Sequence, residues 1–358
     1  MCFLQFLFCA EIIFAPERDL KLMIMIKIII AILIINLTCF AEVNDWASRS
    51  GFQLLKVSSS SKITALGGAG AAVPADFALY SNPANYGNDS LYRLSFERLW
   101  RIEHTDLTIN RFEVFFPVRD VFMAVSAQNH TVADIFIRDI FPGAPPQKDD
   151  FSADWQFSQL SFVVGYHRTK NFKWGLGLGF AFDKFLDEIA YAFIMNAGFI
   201  WKLLDDDLRL GLSFNNFGTT TPMINEDGGE RWGRGEKLPT SIRAGAQYSN
   251  SIRALNFSVA SDVLYWHIYD EQKGIAKNAA DRLQFPLGLE ISPINWLALR
   301  AGKTLGADYN IFNFGFGLNA NFLEFDLAAA TYKYETSVEW EFLAGVSLNF
   351  GNPKKSKE

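Results

Sequence analysis

The sequence predicts an all-β fold, a transmembrane antiparallel β-barrel of about 14 strands with an N-terminal plug segment. Three observations predict it: a strand-like alternation that runs from about 91 to 350, the unusual chemistry of the two alternating faces, and connectors that differ in length on the two sides. One segment shows the alternation clearly. Glycines and an alanine fall between bulky residues at Trp174, Leu176, Leu178, Phe180 and Phe182.

The chemistry of the two faces favours a barrel in lipid over a soluble sandwich. A soluble sandwich keeps bulky residues inside and places Lys, Glu and Thr outside. Here the face opposite the bulky one is rich in Gly, Ala, Ser and Asn, as in 310–319, where Phe312, Phe314 and Phe316 alternate with Asn313 and Gly315. We therefore predict that the bulky face meets lipid and that the small and polar face lines a lumen.

The strand count and the connectors agree with this interpretation. An even number of strands, tight turns on one side and long polar loops on the other are typical of bacterial outer-membrane barrels. Long loops are expected at 141–154, 218–239 and 268–283. The predicted strands are 91–99, 107–117, 121–129, 155–167, 174–183, 189–201, 208–217, 240–249, 254–267, 284–292, 296–304, 310–319, 322–333 and 340–350.

The N-terminus resembles an export signal. The apolar run at 22–41 ends in Cys39-Phe40-Ala41, so we predict a signal peptide cleaved after Ala41 and a region before it (1–22) that is an over-called start. An inner-membrane anchor and a lipoprotein at Cys39 are the alternatives. All three cysteines, Cys2, Cys9 and Cys39, lie in this leader (1–41), so the mature chain is expected to contain neither disulfides nor thiolate sites.

The rest of the chain divides into three predicted parts: a plug segment at 42–90, a barrel at 91–350 and a basic C-terminal tail at 351–358. We expect the exported chain to reside in a Gram-negative-type outer membrane, with lipid around it. The net charge of -6 gives no indication of nucleic-acid binding.

Tryptophans near strand ends suggest two interfacial belts. Such belts place aromatic rings at both membrane surfaces. The residues predicted for the belts are Trp100, Trp155, Trp266 and Trp340 on the long-loop side and Trp174, Trp201 and Trp296 on the short-turn side.

The predicted inner face carries charged residues, which cannot lie unpaired in a dry interior. They form either paired networks that hold the barrel shape or a selectivity lining for a channel. The predicted lumen-facing charges are Asp183, Arg209, Arg243, Asp262, Glu290, Arg300, Glu324 and Asp326.

No catalytic, metal or cofactor site is predicted, so the chain is not expected to be an enzyme. The four histidines show no metal-ligand spacing, and no Gly-x-Ser-x-Gly elbow is present. Gly68-Ala69-Gly70 could imitate a dinucleotide-binding loop, but Val73 replaces the third glycine and Pro74 would interrupt the helix.

The segment before the first strand carries a small-residue run, Leu66-Gly67-Gly68-Ala69, then Asp76 and Asn82-Pro83-Ala84. With these residues the chain resembles the FadL-like family, which contains the fatty-acid transporter FadL and the PorV/PorQ branch of type IX secretion. The resemblance implies a barrel of about 14 strands whose N-terminal plug enters the lumen. The plug-motif residues would be Gly67, Gly68, Asp76, Asn82, Pro83 and Ala84.

Two functions follow from the resemblance. The PorV/PorQ branch implies an accessory of type IX secretion or surface attachment, with exported proteins and secretion components as partners. FadL implies a channel for uptake of hydrophobic small molecules. The residue sequence of the motif and the small or charged character predicted for the lumen favour the type IX secretion accessory. A single bulge, however, would exchange the inner and outer residues of a strand.

Overall fold

A computed structural model describes residues 52–57, 60–86, 91–102, 106–136, 152–169, 171–185, 188–221, 224–225, 238–252, 255–267, 283–306, 310–320, 322–334 and 337–351. The predicted leader and the tail beyond 351 lie outside the described residues, as does most of each predicted long loop.

Antiparallel strands make up nearly all of the described chain. They are β1 (Tyr92–Ile102), β2 (Asp106–Val118), β3 (Val121–Phe136), β4 (Ser152–Thr169), β5 (Phe172–Phe185), β6 (Glu188–Leu203), β7 (Leu208–Thr220), β8 (Ile224–Asn225), β9 (Thr240–Ile252), β10 (Leu255–His267), β11 (Leu283–Ile294), β12 (Leu297–Leu305), β13 (Asn310–Asn319), β14 (Leu323–Tyr334) and β15 (Ser337–Phe350).

These strands close into a 14-stranded barrel, which confirms the predicted fold class. Each long strand pairs with its neighbour along the chain, and β1 pairs with β15 in a register that sets Tyr92 opposite Phe350. The short β8 adds two residues to the edge of β6 and was not predicted. Most strands are also longer than predicted, because the alternation loses contrast near their ends.

The barrel has two distinct ends. At the turn end, β1 begins, β15 finishes, and β2 connects to β3 through Arg119 and Asp120. At the loop end, β3 and β10 finish and β4 and β11 begin. The predicted alternation of connector length is not strict, because β5 ends at Phe185 and β6 begins at Glu188 on the loop end.

The outer face is a belt of exposed apolar side chains. Leu160 is 60% exposed and Phe180 54%, whereas Ala181, beside Phe180, is fully buried. Neighbouring rings stack along the belt, as in Phe180 with Tyr191. This arrangement matches the predicted lipid-facing surface.

Two of the predicted belt tryptophans point inward instead. Trp266 is 6% exposed, and the indole N–H of Trp155 donates a hydrogen bond to the carboxylate of Asp183. A position near a strand end does not determine the face of a side chain, because the alternation of each strand does. Both residues share the parity of the buried residues on their strands, such as Phe157 and Leu264.

Residues 52–57 and 60–86, here called the inner segment, lie inside the barrel. The segment contains helix α1 (Ser61–Ala65) and two 3-10 turns, Gln53–Lys56 and Ala78–Tyr80. Its hydrogen bonds reach strands on all sides of the barrel. Within the described residues, no helix is long and apolar enough to cross a membrane.

Small residues on the inner face make room for the backbone of this segment. A Cβ atom at Gly211 of β7 would collide with the carbonyl of Ala71, and one at Gly302 of β12 would collide with the backbone of Gly67. Glycine is the residue that permits such close backbone approach. The small inner face is therefore the complement of a backbone packed against the wall.

Candidate functional site

The glycines of the predicted plug motif lie where α1 ends. Gly67 and Gly68 have φ angles of 66° and 86°, in the left-handed region that glycine adopts without strain. Their carbonyls accept hydrogen bonds from the wall: Thr304 Oγ1 donates to Gly67 O at 2.7 Å, and Arg243 NH1 donates to Gly68 O at 2.5 Å. The turn thus joins the segment to β9 and β12.

Asn82 organises the second part of the motif. Its Oδ1 accepts a hydrogen bond from Ala84 N–H at 3.0 Å, which forms an Asx turn around Pro83. Its Nδ2 donates to Ala71 O at 2.6 Å and to Phe199 O of β6 at 3.2 Å. Asn82 is fully buried, so one side chain connects two parts of the segment and the wall.

Asp76 joins the inner segment to the seam where the first and last strands pair. It forms an ion pair with Arg93 of β1 and accepts a hydrogen bond from Ser347 of β15. Burial alone would raise the pKa of Asp76, but the Arg93 guanidinium and these hydrogen bonds outweigh it and hold the pKa below its ordinary value.

Three buried carboxylates of the wall accept hydrogen bonds from backbone amides of the inner segment. Asp262 Oδ2 accepts from Gly70 at 2.7 Å and from Ala71 at 2.9 Å. Glu97 accepts from Ser61 N–H at 2.5 Å. Glu113 accepts from the N–H of residue 77 at 2.9 Å. These hydrogen bonds satisfy amides of a backbone that has no ladder of its own and fix its position.

Two of these carboxylates, Glu97 and Glu113, were not among the predicted residues. Neither was Arg111, which forms a buried ion pair with Glu97 at 2.8 Å. The sequence contains a signal for this ion pair. Glu97 on β1 lies directly opposite Arg111 on β2 in the register, and both share the parity of small inner residues such as Ser95.

At the turn end, a polar cavity of about 390 Å³ lies beneath the inner segment. Arg300 lines this cavity and forms ion pairs with Glu290, at 2.6 Å, and with Asp326. Glu324 also lines this cavity, and its carboxylate accepts a hydrogen bond from Asn349. Three of the four predicted charges in this region therefore form one network.

The remaining predicted charges are dispersed. Asp183 lies near the loop end with Trp155, and Arg243 bonds Asp262 at 3.2 Å within the middle of the lumen. Arg209 lies at the turn end, where it bonds Asp206 at 2.6 Å. All the predicted lumen-facing charges thus lie on the inner parity of their strands, but in separate groups.

Near the loop end, one part of the lumen is apolar. We call this region the apolar chamber, and Phe52 and Leu54 of the inner segment fill much of it. A further cavity of about 130 Å³ adjoins it, with Ile63, Leu264 and Trp266 in its lining. The wall of the apolar chamber comprises Leu99, Leu107, Ile109, Val132, Trp155, Phe157, Ala181, Ala190, Ala192, Ile194, Leu238, Ala328 and Leu343.

This chamber corrects the expectation that the lumen is only small and charged. The sequence contains a signal for it in β6, where Tyr191, Phe193 and Met195 face outward and Ile194 lies between them facing inward. A strand with bulky apolar residues on both faces has an apolar environment on both sides. Among the described residues, no group of His, Cys, Asp and Glu side chains has the arrangement of a metal site.

Comparison with solved structures identifies the fold. The chain resembles the "TodX deltaS2S3 mutant monoaromatic hydrocarbon channel" (TM-score 0.57, 13% identity, 82% of this chain and 98% of that chain). It also resembles the Ralstonia pickettii toluene transporter TbuX (0.55, 12%, 82% and 99%) and the Pseudomonas putida toluene transporter TodX (0.55, 12%, 82% and 98%). No protein-family model and no curated protein sequence matches the chain.

The chain therefore has the fold of a FadL-like barrel. Nothing in these comparisons supports the PorV/PorQ branch or type IX secretion, which the sequence motif led us to favour. The motif residues at 67, 68, 76 and 82 all serve to seat the inner segment, a role that does not distinguish the branches.

Proposed function

We propose that this protein is an outer-membrane channel for uptake of hydrophobic small molecules. The observation that carries the proposal is the apolar chamber, the group of buried apolar side chains near the loop end of the lumen. An aqueous pore for polar solutes gains nothing from such a region, whereas a hydrophobic solute does. The apolar outer belt supports a location in the membrane.

Single-ring hydrocarbons are the substrate class that we propose. TodX is described as a monoaromatic hydrocarbon channel and TbuX as a toluene transporter. The cavity of about 130 Å³ beside the chamber is close in volume to an engineered cavity of about 150 Å³ that binds benzene. Its lining is mixed: Leu264 and Trp266 offer apolar contact, while polar residues that include Asn215 and Gln284 can orient a bound molecule.

Uptake measurements in a host that lacks its own hydrocarbon channels test this proposal. Cells that contain the full chain should accumulate radiolabelled toluene faster than cells without it, and should not gain permeability to sucrose. Equal toluene rates would contradict the proposal, and a rise in sucrose permeation would instead indicate a general pore.

A pair of isosteric substitutions provides the matched control. Val132→Thr introduces a hydroxyl into the apolar chamber, whereas Val163→Thr introduces one into a separate apolar cluster at the turn end. Burying an unpaired hydroxyl costs about 1–3 kcal/mol, so toluene uptake should fall at least about fivefold in Val132→Thr. Val163→Thr should retain the wild-type rate. Equal losses in both variants would show that the apolar chamber does not determine toluene uptake.

A further inference from the structure

The apolar outer belt gives way to a polar row on one side of the barrel. In the register of β1 to β4, Arg98 lies opposite Asn110, Asn110 opposite Asn129, and Asn129 opposite Ser158. All four side chains have the outward parity of their strands, and each is exposed or half-buried. One step nearer the turn end, the outer positions of the same strands are apolar: Phe96, Phe112, Ala127 and Leu160.

A second polar row lies one step nearer the loop end. It contains hydroxyl and amide side chains and ends in a cation on β5: Thr108, Thr131, Gln156 and Lys184. Hydrogen bonds join side chains within and between the rows. Asn129 Nδ2 donates to Ser158 Oγ at 2.8 Å, and Thr131 Oγ1 donates to Asn129 Oδ1 at 3.4 Å. We call these two rows together the outer polar patch.

The outer polar patch covers only part of the wall. Beside β1, the outer positions of β15 just beyond this level are Phe342 and Trp340. Beside β4, Phe182 lies opposite Ser158 and Tyr191 lies opposite Phe182, with exposures of 37% and 40%. The apolar belt therefore extends further towards the loop end on both sides of the patch. The patch is a local feature of the surface and not a uniform upper edge of the belt.

The two cations lie at opposite ends of the outer polar patch. Arg98 is exposed on β1 and forms no ion pair with a described residue, while Lys184 lies four strands away on β5. Adjacent strands are about 4.8 Å apart, so the patch is about 19 Å wide. This width exceeds that of a single phospholipid headgroup and suits a disaccharide with a phosphate at each end. An acidic residue of β4, Asp154, lies one step beyond the patch towards the loop end.

The position of the patch indicates which lipids it meets. A cation on the lipid-facing side of a barrel is costly at the bilayer centre and costs little near the interface, so the patch belongs at the level of the headgroups. Long loops lie on the extracellular side of outer-membrane barrels. The patch therefore faces the outer leaflet, whose main lipid in a Gram-negative-type membrane is a phosphorylated glycolipid.

We propose that the outer polar patch binds the phosphorylated disaccharide of an outer-leaflet glycolipid. Its phosphates contact Arg98 and Lys184, its sugar groups bond the amide and hydroxyl side chains between them, and its acyl chains lie on the apolar belt. Arginine binds phosphate through strong, charge-assisted hydrogen bonds, and an asparagine amide offers both donors and an acceptor to a sugar. The proposal goes beyond solute uptake: it rests on an outer-membrane location and not on which solute the channel carries.

Titration of the purified, detergent-solubilised full chain with diphosphoryl lipid A, followed by native mass spectrometry, tests the patch. Arg98→Gln should bind lipid A about fivefold more weakly than the wild type, the loss expected for one basic residue at an anionic lipid surface. Asn129→Leu should weaken binding of lipid A but not of phosphatidylglycerol, because only lipid A carries a disaccharide. Arg119→Gln is the matched control, since Arg119 is an exposed arginine in the turn between β2 and β3. Its affinity should equal that of the wild type.

Equal lipid A affinities in Arg98→Gln and the wild-type chain would overturn the proposal, as would an equal loss in Arg119→Gln. Phosphatidylglycerol bound as tightly as lipid A, with the same loss in Asn129→Leu, would also overturn it, because the patch would then not select a glycolipid. Heat-modifiable migration on gels reports whether each variant is a folded barrel. If Arg98→Gln does not fold, Lys184→Gln replaces it with the same expected loss, and no loss overturns the proposal.

Discussion

Asp76 of the inner segment forms a buried ion pair with Arg93 of β1, the strand that closes the barrel against β15. Arg93 also donates a hydrogen bond to Asn349 of β15 at 2.9 Å, and Asp76 accepts one from Ser347 of the same strand. One carboxylate therefore connects the inner segment to both strands of the seam.

Replacement of Asp76 by alanine should release the inner segment. Arg93 would remain buried without its partner, and breaking a buried pair in this way costs about 3–5 kcal/mol. The barrel and inner segment contain no cysteine, so Ala84→Cys adds a single buried reporter thiol. Labelling of this thiol should accelerate strongly in Asp76→Ala. Lys202→Ala, which removes a partly exposed ion pair with Asp206, should change the rate little, since such pairs contribute about 0–1 kcal/mol.

The same ion pair predicts a plateau in pH dependence. The pKa of Asp76 is held below its ordinary value of 3.8, so its contribution to seating is present at every pH above 3.8 and is lost as the pH falls through the lower, seated pKa. The protection that Asp76 adds is the difference in Ala84→Cys alkylation between the chain with Asp76 and an Asp76→Asn variant after brief exposure to each pH, and it should be constant between pH 7 and 4. A gradual loss of this difference between pH 6 and 5 would contradict the assignment.

Lys56 predicts a second pH dependence of the same sign, in the alkaline range. Burial lowers the pKa of Lys56 from 10.5 to about 8. Between these values the released segment binds a proton that the seated segment does not, so seating should strengthen as the pH rises from about 8 to 10.5.

Thiol labelling of Ala84→Cys, normalised to an unfolded reference in the same buffer, measures this effect. Lys56→Met should seat the segment more tightly than wild type at pH 7 and should abolish the change between pH 8 and 10.5. A Lys56→Met variant with the same alkaline response as the wild type would assign the effect to another group.

A substitution that adds a Cβ atom at an inner-face glycine should also release the inner segment. Gly211→Ala places a Cβ atom against the carbonyl of Ala71, and that backbone must move because no flexible side chain lies between them. Gly179→Ala is the matched control, since its nearest neighbours are the side-chain ends of Ser161 and Gln159. Thiol labelling should accelerate in the first variant only, while both should retain the heat-modifiable migration of a folded barrel on gels. Comparable labelling in both variants would show that backbone clearance does not hold the segment.

The barrel was predictable from the sequence because alternation is a local property. Leu178 and Gly179 already indicate which face of β5 meets lipid, and strands such as β13 repeat the pattern. The same alternation also sets Trp155 on the inner face, because it shares the parity of the buried Phe157, whereas a position near a strand end carries no information about the face. The chamber was harder to predict, because Leu99 and Ile194 face inward on strands that are apolar on both sides.

The seating of the inner segment could not be predicted in the same way. The bond from Gly70 N–H to Asp262 joins residues 192 positions apart, and no periodicity relates them. The motif at 82–84 indicated a turn, which depends only on neighbouring residues. The hydrogen bond from Asn82 to the carbonyl of Phe199 on β6 depends on the closed barrel.

The contacts of Asp76 at the seam also have a consequence for biogenesis. Ser347 and Asp76 are 271 residues apart, so the segment that is synthesised first reaches its final contact only when the last strand arrives. Closure of the barrel and completion of the Asp76 contacts of the inner segment therefore form one late, slow step, as expected for contacts between residues so far apart in the chain. Until that step, Asp76 and Arg93 together face an open sheet edge, where they oppose premature pairing with another chain.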